Sequence, residues 1–268
     1  VTTMCKVISV ISCKGGVGKT TSAVNISAYL QMQGKKVCVV DLDAQHNLSR
    51  HFGVWAIPSA ETPTITELFR AAIDDCSDET MQQMIRDSIC QTTTVDMIPS
   101  TVQLSSLEAV LSTATSRERV LEYILSFIRK DYDYIFLDCH PGLDLFSVNA
   151  LTASDSVLIP VEAHILSSDG LEQVEKMIRT VQRKLNPRLR IEGIIITKFQ
   201  GHTSCCRQVY EIVKRDFGSQ IHIFEEPVKY AIKVAEAPAF GISLHEYAPN
   251  IEPAQTYARI ALEVMRSA

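Results

Sequence analysis

Short β-branched apolar runs alternate with stretches of helical periodicity along the whole chain. Seven runs predict strands, at Lys6 to Ser12, Lys36 to Leu42, Val95 to Ile98, Tyr134 to Asp138, Ser156 to Pro160, Ile191 to Thr197 and Ile221 to Phe224. Between them, apolar residues recur at helical spacing. Thr20 to Gln33 carries Ala23, Ile26 and Leu30 on one face and is ended by Gly34. Further helices are predicted at Thr66 to Ile73, Asp78 to Ile89, Gln103 to Leu111, Arg117 to Lys130 with Ser116 as its cap, Ser168 to Leu185 and Thr203 to Phe217. The final stretch, Tyr257 to Ala268, reads as a packed helix, and Phe52 to Thr64, with Pro58 and Pro63, as a loop. Strand and helix in alternation predict an α/β fold: a mostly parallel twisted sheet with helices on both faces, in a single domain spanning 1–268.

Candidate chemistry enters at the first strand-to-helix junction, Lys14-Gly15-Gly16-Val17-Gly18-Lys19-Thr20. Three glycines in four positions let successive backbone N–H groups turn toward one anion, and the following helix aims its positive end at the same place. A strand, a glycine loop ending Gly-Lys-Thr and a helix form a phosphate-binding P-loop. Lys19 is then expected on the β- and γ-phosphates and the Thr20 hydroxyl on Mg²⁺. The strict GxxxxGK[ST] pattern wants glycine at position 13, where this chain has Cys13, so the loop is a deviant Walker A. A plain glycine-rich turn is the alternative, and the Gly-Lys-Thr ending in this context weighs against it.

Composition narrows the picture further. The 268 residues are 46% hydrophobic, enough for a large core, and no apolar run approaches the roughly 18 residues that span a bilayer. No charged-then-apolar leader opens the chain, so a cytoplasmic protein is expected. Eight scattered cysteines, without paired C-x-x-C spacing, read as reduced thiols. A formal net charge of −5 excludes a uniformly basic nucleic-acid binder and restricts any DNA contact to a local patch.

Two other strands deliver acids to the edge where ligands of parallel sheets collect. Lys36 to Leu42 brings Asp41 and Asp43, and Tyr134-Ile135-Phe136-Leu137-Asp138 ends as a Walker-B strand does. Converging acids require a shared cation. With Lys14 to Thr21, Val40 to Gln45, Tyr132 to Asp138, Asn149 to Asp155 followed by Val157 to Val161, and Lys233 to Pro238, the chain resembles the ParA/Soj plasmid and chromosome partition ATPases. These lie within the larger group that includes MinD and the nitrogenase iron protein.

The resemblance implies slow ATP hydrolysis with Mg²⁺ in a nucleotide-sandwich homodimer. Lys14 reaches the partner's phosphates, Lys19 holds its own, and Asp43 positions the attacking water. Gly15, Gly16, Val17, Gly18 and Thr21 complete the nucleotide site, and Thr20, Asp41 and Asp138 hold the magnesium shell. It further implies non-specific double-stranded DNA binding by the C-terminal region, expected first at Lys233 and Arg207 and then at Lys229, Lys214 and Arg183. Hydrolysis is stimulated, and DNA released, by a ParB-type centromere-binding partner. The expected locale is cytoplasmic, on the nucleoid when ATP is bound.

Two departures stand out: Cys139-His140-Pro141 replaces the family's x-Pro-Pro, and Glu225, Glu226 and Tyr230 replace part of a basic stretch. Two other function classes compete. A MinD-like membrane-cycling or protein-cargo positioning ATPase uses the same machinery, although the membrane form requires a basic amphipathic C-terminal helix. An iron–sulfur electron carrier requires paired cysteines, and Cys139 has no partner at that family's spacing.

Overall fold

The computed structural model describes residues 5–54, 62–163 and 167–267. Residues 55–61 of the predicted loop, and the side chain of Ser168 at the start of its predicted helix, lie outside the described residues. Seven strands, β1 (Lys6–Val10), β2 (Val37–Leu42), β3 (Cys90–Gln91), β4 (Asp96–Ile98), β5 (Tyr134–Cys139), β6 (Ser156–Glu162) and β7 (Arg190–Thr197), form one sheet in the order β3-β4-β2-β5-β1-β6-β7. Every neighbouring pair is parallel except the short edge pair β3–β4. Among the described residues twelve α-helices accompany them: α1 (Lys19–Met32), α2 (Asn47–His51), α3 (Ile65–Ile73), α4 (Asp78–Ser88), α5 (Leu107–Thr113), α6 (Val120–Ser126), α7 (Leu145–Ala153), α8 (Ser167–Lys184), α9 (Ser204–Phe217), α10 (Ile232–Glu236), α11 (Leu244–Tyr247) and α12 (Glu252–Arg266).

Alternation of side chains across each strand divides the interior into two cores. Val7, Ile135 and Leu137 face one layer, built with α3 to α9. Ile8, Val10 and Phe136 face the other, under α1, α11 and α12. Because both faces are covered, the central strands read as unbroken apolar runs. The predicted mostly parallel sheet with helices on both faces is the architecture observed.

Helix α1 is enclosed on the sheet side by core residues and on its outer side by α12. Ser22 Oγ lies 3.2 Å from Tyr257 Oη, Asn25 Oδ1 accepts the Leu244 N–H at 2.8 Å, and His245 Nε2 lies 3.0 Å from the Asn25 carbonyl. Helix α12 spends its apolar side, Tyr257, Ile260, Ala261 and Val264, on this contact. That leaves it poorly suited to the membrane-binding role considered above.

Two predicted elements are corrected, and one helix was not predicted. Helix α6 is shorter than Arg117 to Lys130, beginning at Val120 under Arg119, and Ser116 is no cap but a left-handed turn residue with φ 52°. Residues 221–224 do not form a strand but touch β7 through a single bridge, Ile194 to Ile223. The acids Glu225 and Glu226 and then Pro227, which has no N–H to donate, follow at once. Helix α7 was not foreseen from periodicity, because Phe146, Ser147 and Asn149 to Ala153 are buried around its whole circumference and leave no polar face to betray the period.

Candidate nucleotide-binding site

Strand β1 sits between β5 and β6, and its C-terminal end runs directly into the glycine loop. Gly16 and Gly18 adopt φ of 72° and 87°, conformations a side chain disfavours, and Gly18 opens α1 without any side-chain cap. The first N–H groups of α1 are therefore available to an anion. A Cβ on Gly15 would meet nothing nearer than Pro141, 3.9 Å away, so the cradle is open on its ligand side. The loop is pinned from outside: Thr197 Oγ1, at the end of β7, donates to the Val17 carbonyl at 2.7 Å, and the Lys14 N–H donates to Ser12 Oγ at 3.3 Å.

Lys19 is buried, and its Nζ donates to the Lys14 carbonyl at 3.1 Å across the loop mouth. Burial lowers its pKa, against the opposing pull of Asp138 and Asp43. The stem of Lys14 lies along the first turn of α8, where Gly170 makes room. A Cβ there would collide with Cys13 Sγ and stand 3.6 Å from Lys14 Cε. The Lys14 ammonium has no ion pair among the described residues, and Thr21 is half-buried in the first turn of α1.

The acids converge as expected. Asp41 and Asp138 are register partners on β2 and β5, both fully buried. Thr20 Oγ1 donates to Asp138 Oδ2 at 2.7 Å, while Asp138 Oδ1 is buried with no hydrogen-bond partner. Burial, and then the Asp41 charge, push the Asp138 carboxyl up to about 8. An acceptor oxygen left bare in such a place fits a divalent cation that contributes its own waters. Among the described residues no three His, Cys, Asp or Glu side chains gather as a metal cage. Thr20 and Asp138 are the residues that would hold Mg²⁺ here.

Asp41 is more occupied: its oxygens accept the Asp43 N–H at 3.1 Å, the Ser49 N–H at 2.9 Å and the Ser49 hydroxyl at 2.7 Å. It thus ties β2 to α2 as well as facing Asp138. Burial raises its pKa to about 6, against those bonds. Asp43 is 8% exposed, accepts the Gln45 N–H at 2.8 Å, and lines a cleft of about 290 Å³ with Gln45, Glu108, His140 and Asp144. His140 Nε2 lies 2.9 Å from Asp144 Oδ2, and this hydrogen bond raises the histidine pKa. Asp144, which burial alone would push up, is held below its ordinary value by the same bond.

Several of these residues carried no sequence signal. Ser12, Ser49, Asp144, Gly170 and Thr197 act through partners up to 180 positions away, as Thr197 does on Val17. Lys198, at φ 51°, is a further lysine at the loop. Its Nζ pairs with Glu162 at 3.6 Å and would stand 3.9 Å from a Cβ on Gly16.

The five lysines and arginines expected on DNA differ in freedom. Lys233, Arg207 and Arg183 are exposed without an ion pair among the described residues. Lys229 is paired with Glu252 at 2.7 Å, and Lys214 lies 4.6 Å over the Tyr210 ring. Cys139 is buried at the end of β5, its Sγ turned to the Leu137 carbonyl, which removes it from any cluster shared between subunits.

Comparison with known proteins bears on the family of the chain as a whole. A family model described as an AAA domain matches residues 5–191. The chain is 36% identical over 264 residues to the sporulation initiation inhibitor protein Soj of Bacillus subtilis, covering 97% of this chain and 98% of that one. It is 31% identical to the chromosome partitioning protein ParA of Caulobacter vibrioides, covering 97% and 94%. Among solved structures, a plasmid partition protein of Borrelia burgdorferi B31 bound to AMPPNP superposes with a TM-score of 0.79 at 25% identity, over 98% of this chain and all of that one. Cobyrinic acid a,c-diamide synthase of Mycobacterium smegmatis, with bound ADP and magnesium, gives 0.80 at 26%, over 98% and 95%. Matched nearly end to end by Soj and ParA, and folded as their ATP-binding structural relatives are, the chain belongs to the ParA/Soj family of partitioning ATPases.

Proposed function

We propose that the chain is a single-domain DNA-partition ATPase that binds ATP with Mg²⁺ and closes as a homodimer over two nucleotides. Hydrolysis is slow until a ParB-type partner stimulates it. The observation that carries this reading is the buried Asp138 oxygen without a partner, beside the Thr20 hydroxyl and in the field of the Lys19 ammonium. Thr20 and Asp138 would hold magnesium there, with Asp41 facing from the adjacent strand, and the ion would neutralise charge on the phosphates.

The residues divide the remaining work. Backbone N–H groups of Gly15 to Thr21 receive the phosphates, and Lys19 exchanges the Lys14 carbonyl for phosphate oxygen. Lys14, with no ion pair among the described residues, serves the nucleotide of the second subunit, a cation supplied in trans where charge develops on phosphoryl oxygens. Asp43 orients the attacking water from the neighbouring cleft. In the dimer, Lys233, Arg207 and Arg183 from two subunits double the phosphate contacts to DNA, with Lys229 and Lys214 joining once freed from Glu252 and Tyr210.

The test is retention on non-specific double-stranded DNA with ATP, with ADP and without nucleotide, at two salt concentrations. Retention is expected with ATP alone and should fall steeply with salt, because each neutralised phosphate releases counterions. Equal retention in all three nucleotide states would overturn the reading.

A further inference from the structure

Between β5 and α7 the segment Cys139-His140-Pro141-Gly142-Leu143-Asp144 lies over the mouth of the phosphate loop. Pro141 would be 3.9 Å from a Cβ on Gly15, and the Gly142 N–H reaches toward the Ser12 carbonyl at 3.4 Å. The Gly142 carbonyl accepts the Ser147 hydroxyl at 3.0 Å, which ties the segment to α7. His140 is the one imidazole in this segment, and three features hold its ring.

Nε2 lies 2.9 Å from Asp144 Oδ2. Asp144 is itself fixed, its other oxygen accepting the Ser147 N–H at 3.1 Å as the cap of α7. Gly142, at φ 151°, leaves the space the ring fills, since a Cβ there would stand 2.8 Å from Nε2. Because a carboxylate only accepts, Asp144 selects the tautomer with the proton on Nε2. Nδ1 is then an acceptor, and among the described residues it has no hydrogen-bond partner. The ring lines the same cleft as Asp43 and Gln45.

We propose that His140 is a further catalytic residue of ATP hydrolysis. Held by Asp144, it accepts through Nδ1 a hydrogen bond from the attacking water, which Asp43 holds from the other side. Asp144 is its positioning residue. The inference rests on the ATPase reading above.

In the step, the water oxygen bonds to the γ-phosphorus. The bond from that phosphorus to the β–γ bridging oxygen breaks, and its electron pair leaves with ADP. One water proton stays on the product phosphate and the other passes to solvent. Two acceptors fix both hydrogens of the water and so aim its lone pair at phosphorus, which is positioning chemistry. The carboxylate behind the ring also makes Nδ1 a stronger acceptor.

The test separates turnover from binding, using steady-state hydrolysis and titration with ADP and AMPPNP. Expected for His140→Ala is a fall in kcat of roughly ten- to a hundredfold, with both nucleotide affinities within about twofold of the starting protein, since acid–base and water-orienting side chains contribute on that scale or above. Added free imidazole should restore part of the lost turnover. His140→Phe, which fills the ring's volume without an acceptor, should show the same loss without rescue and serves if the alanine variant melts early. Asp144→Asn, which still caps α7, should lower kcat by less.

Turnover unchanged in His140→Phe, or nucleotide affinity lost in step with turnover in both variants, would overturn the inference. If the unsubstituted protein binds neither nucleotide, the ATPase reading itself falls. If it binds and hydrolyses while the variants match it, only the role of His140 falls.

Discussion

Replacing Asp138 by asparagine should make the metal-free protein less sensitive to alkaline pH, because the buried carboxyl titrates from its ordinary 3.8 to about 8 on folding. A raised pKa means that the folded state binds the proton more tightly. This group's contribution to stability is complete below pH 4, declines as pH rises, and is exhausted once pH passes about 8. Each tenfold difference in proton affinity is worth about 1.4 kcal/mol, so ionising Asp138 in the folded protein costs on the order of 5 kcal/mol at full extent. About 3 kcal/mol of that falls between pH 6 and pH 9. Asp41, raised to about 6, has spent most of its own contribution by then.

Asparagine removes the titration but leaves a buried amide N–H beside Asp41, a cost of about 1–3 kcal/mol. The absolute stability of the variant is therefore a poor readout, and its pH dependence a good one. Urea unfolding followed by far-ultraviolet circular dichroism in EDTA, at pH 6 and pH 9, makes the measurement. The starting protein should lose on the order of 3 kcal/mol more than Asp138→Asn across that window, and Mg²⁺ with nucleotide should narrow the gap. Parallel pH curves for the two proteins would refute the reasoning, since they would mean that Asp138 is already solvated or paired.

Two further outcomes are expected. Asp43→Ala should bind ATP and accumulate as a dimer on size-exclusion chromatography, and a monomer under saturating ATP would contradict the sandwich. Tyr257→Phe leaves Ser22 without its partner between α1 and α12 and should cost about 1–2 kcal/mol in urea unfolding. No change there would show that this hydrogen bond contributes nothing net.

What could be read from the sequence was what is local. The strands β1, β2 and β5 are continuous apolar runs because both faces of the sheet are covered, and Lys14 to Thr20 carries its chemistry in consecutive residues. Asp41, Asp43 and Asp138 were legible because strand ends in a parallel sheet deliver side chains to one edge. The rest is made by distant partners. Nothing near Ser49 says that it bonds Asp41, and nothing near Lys229 says that Glu252 on α12 neutralises it. Helix α7 hid its period by being buried on nearly all sides, its polar residues included, and Ser116 looked like a cap because its left-handed backbone cannot be seen in a residue name.

A phosphate loop mounted on a helix that is clasped both by the sheet and by α12 has no hinge of its own. Loss of the terminal phosphate must then be felt elsewhere, in the stretch after β5 that rests on the loop instead of carrying it. The clasp works as an anvil, stiff so that small displacements of its neighbours are not absorbed. Changes along residues 243–264, far from any reacting atom, should therefore alter nucleotide affinity by loosening the mount.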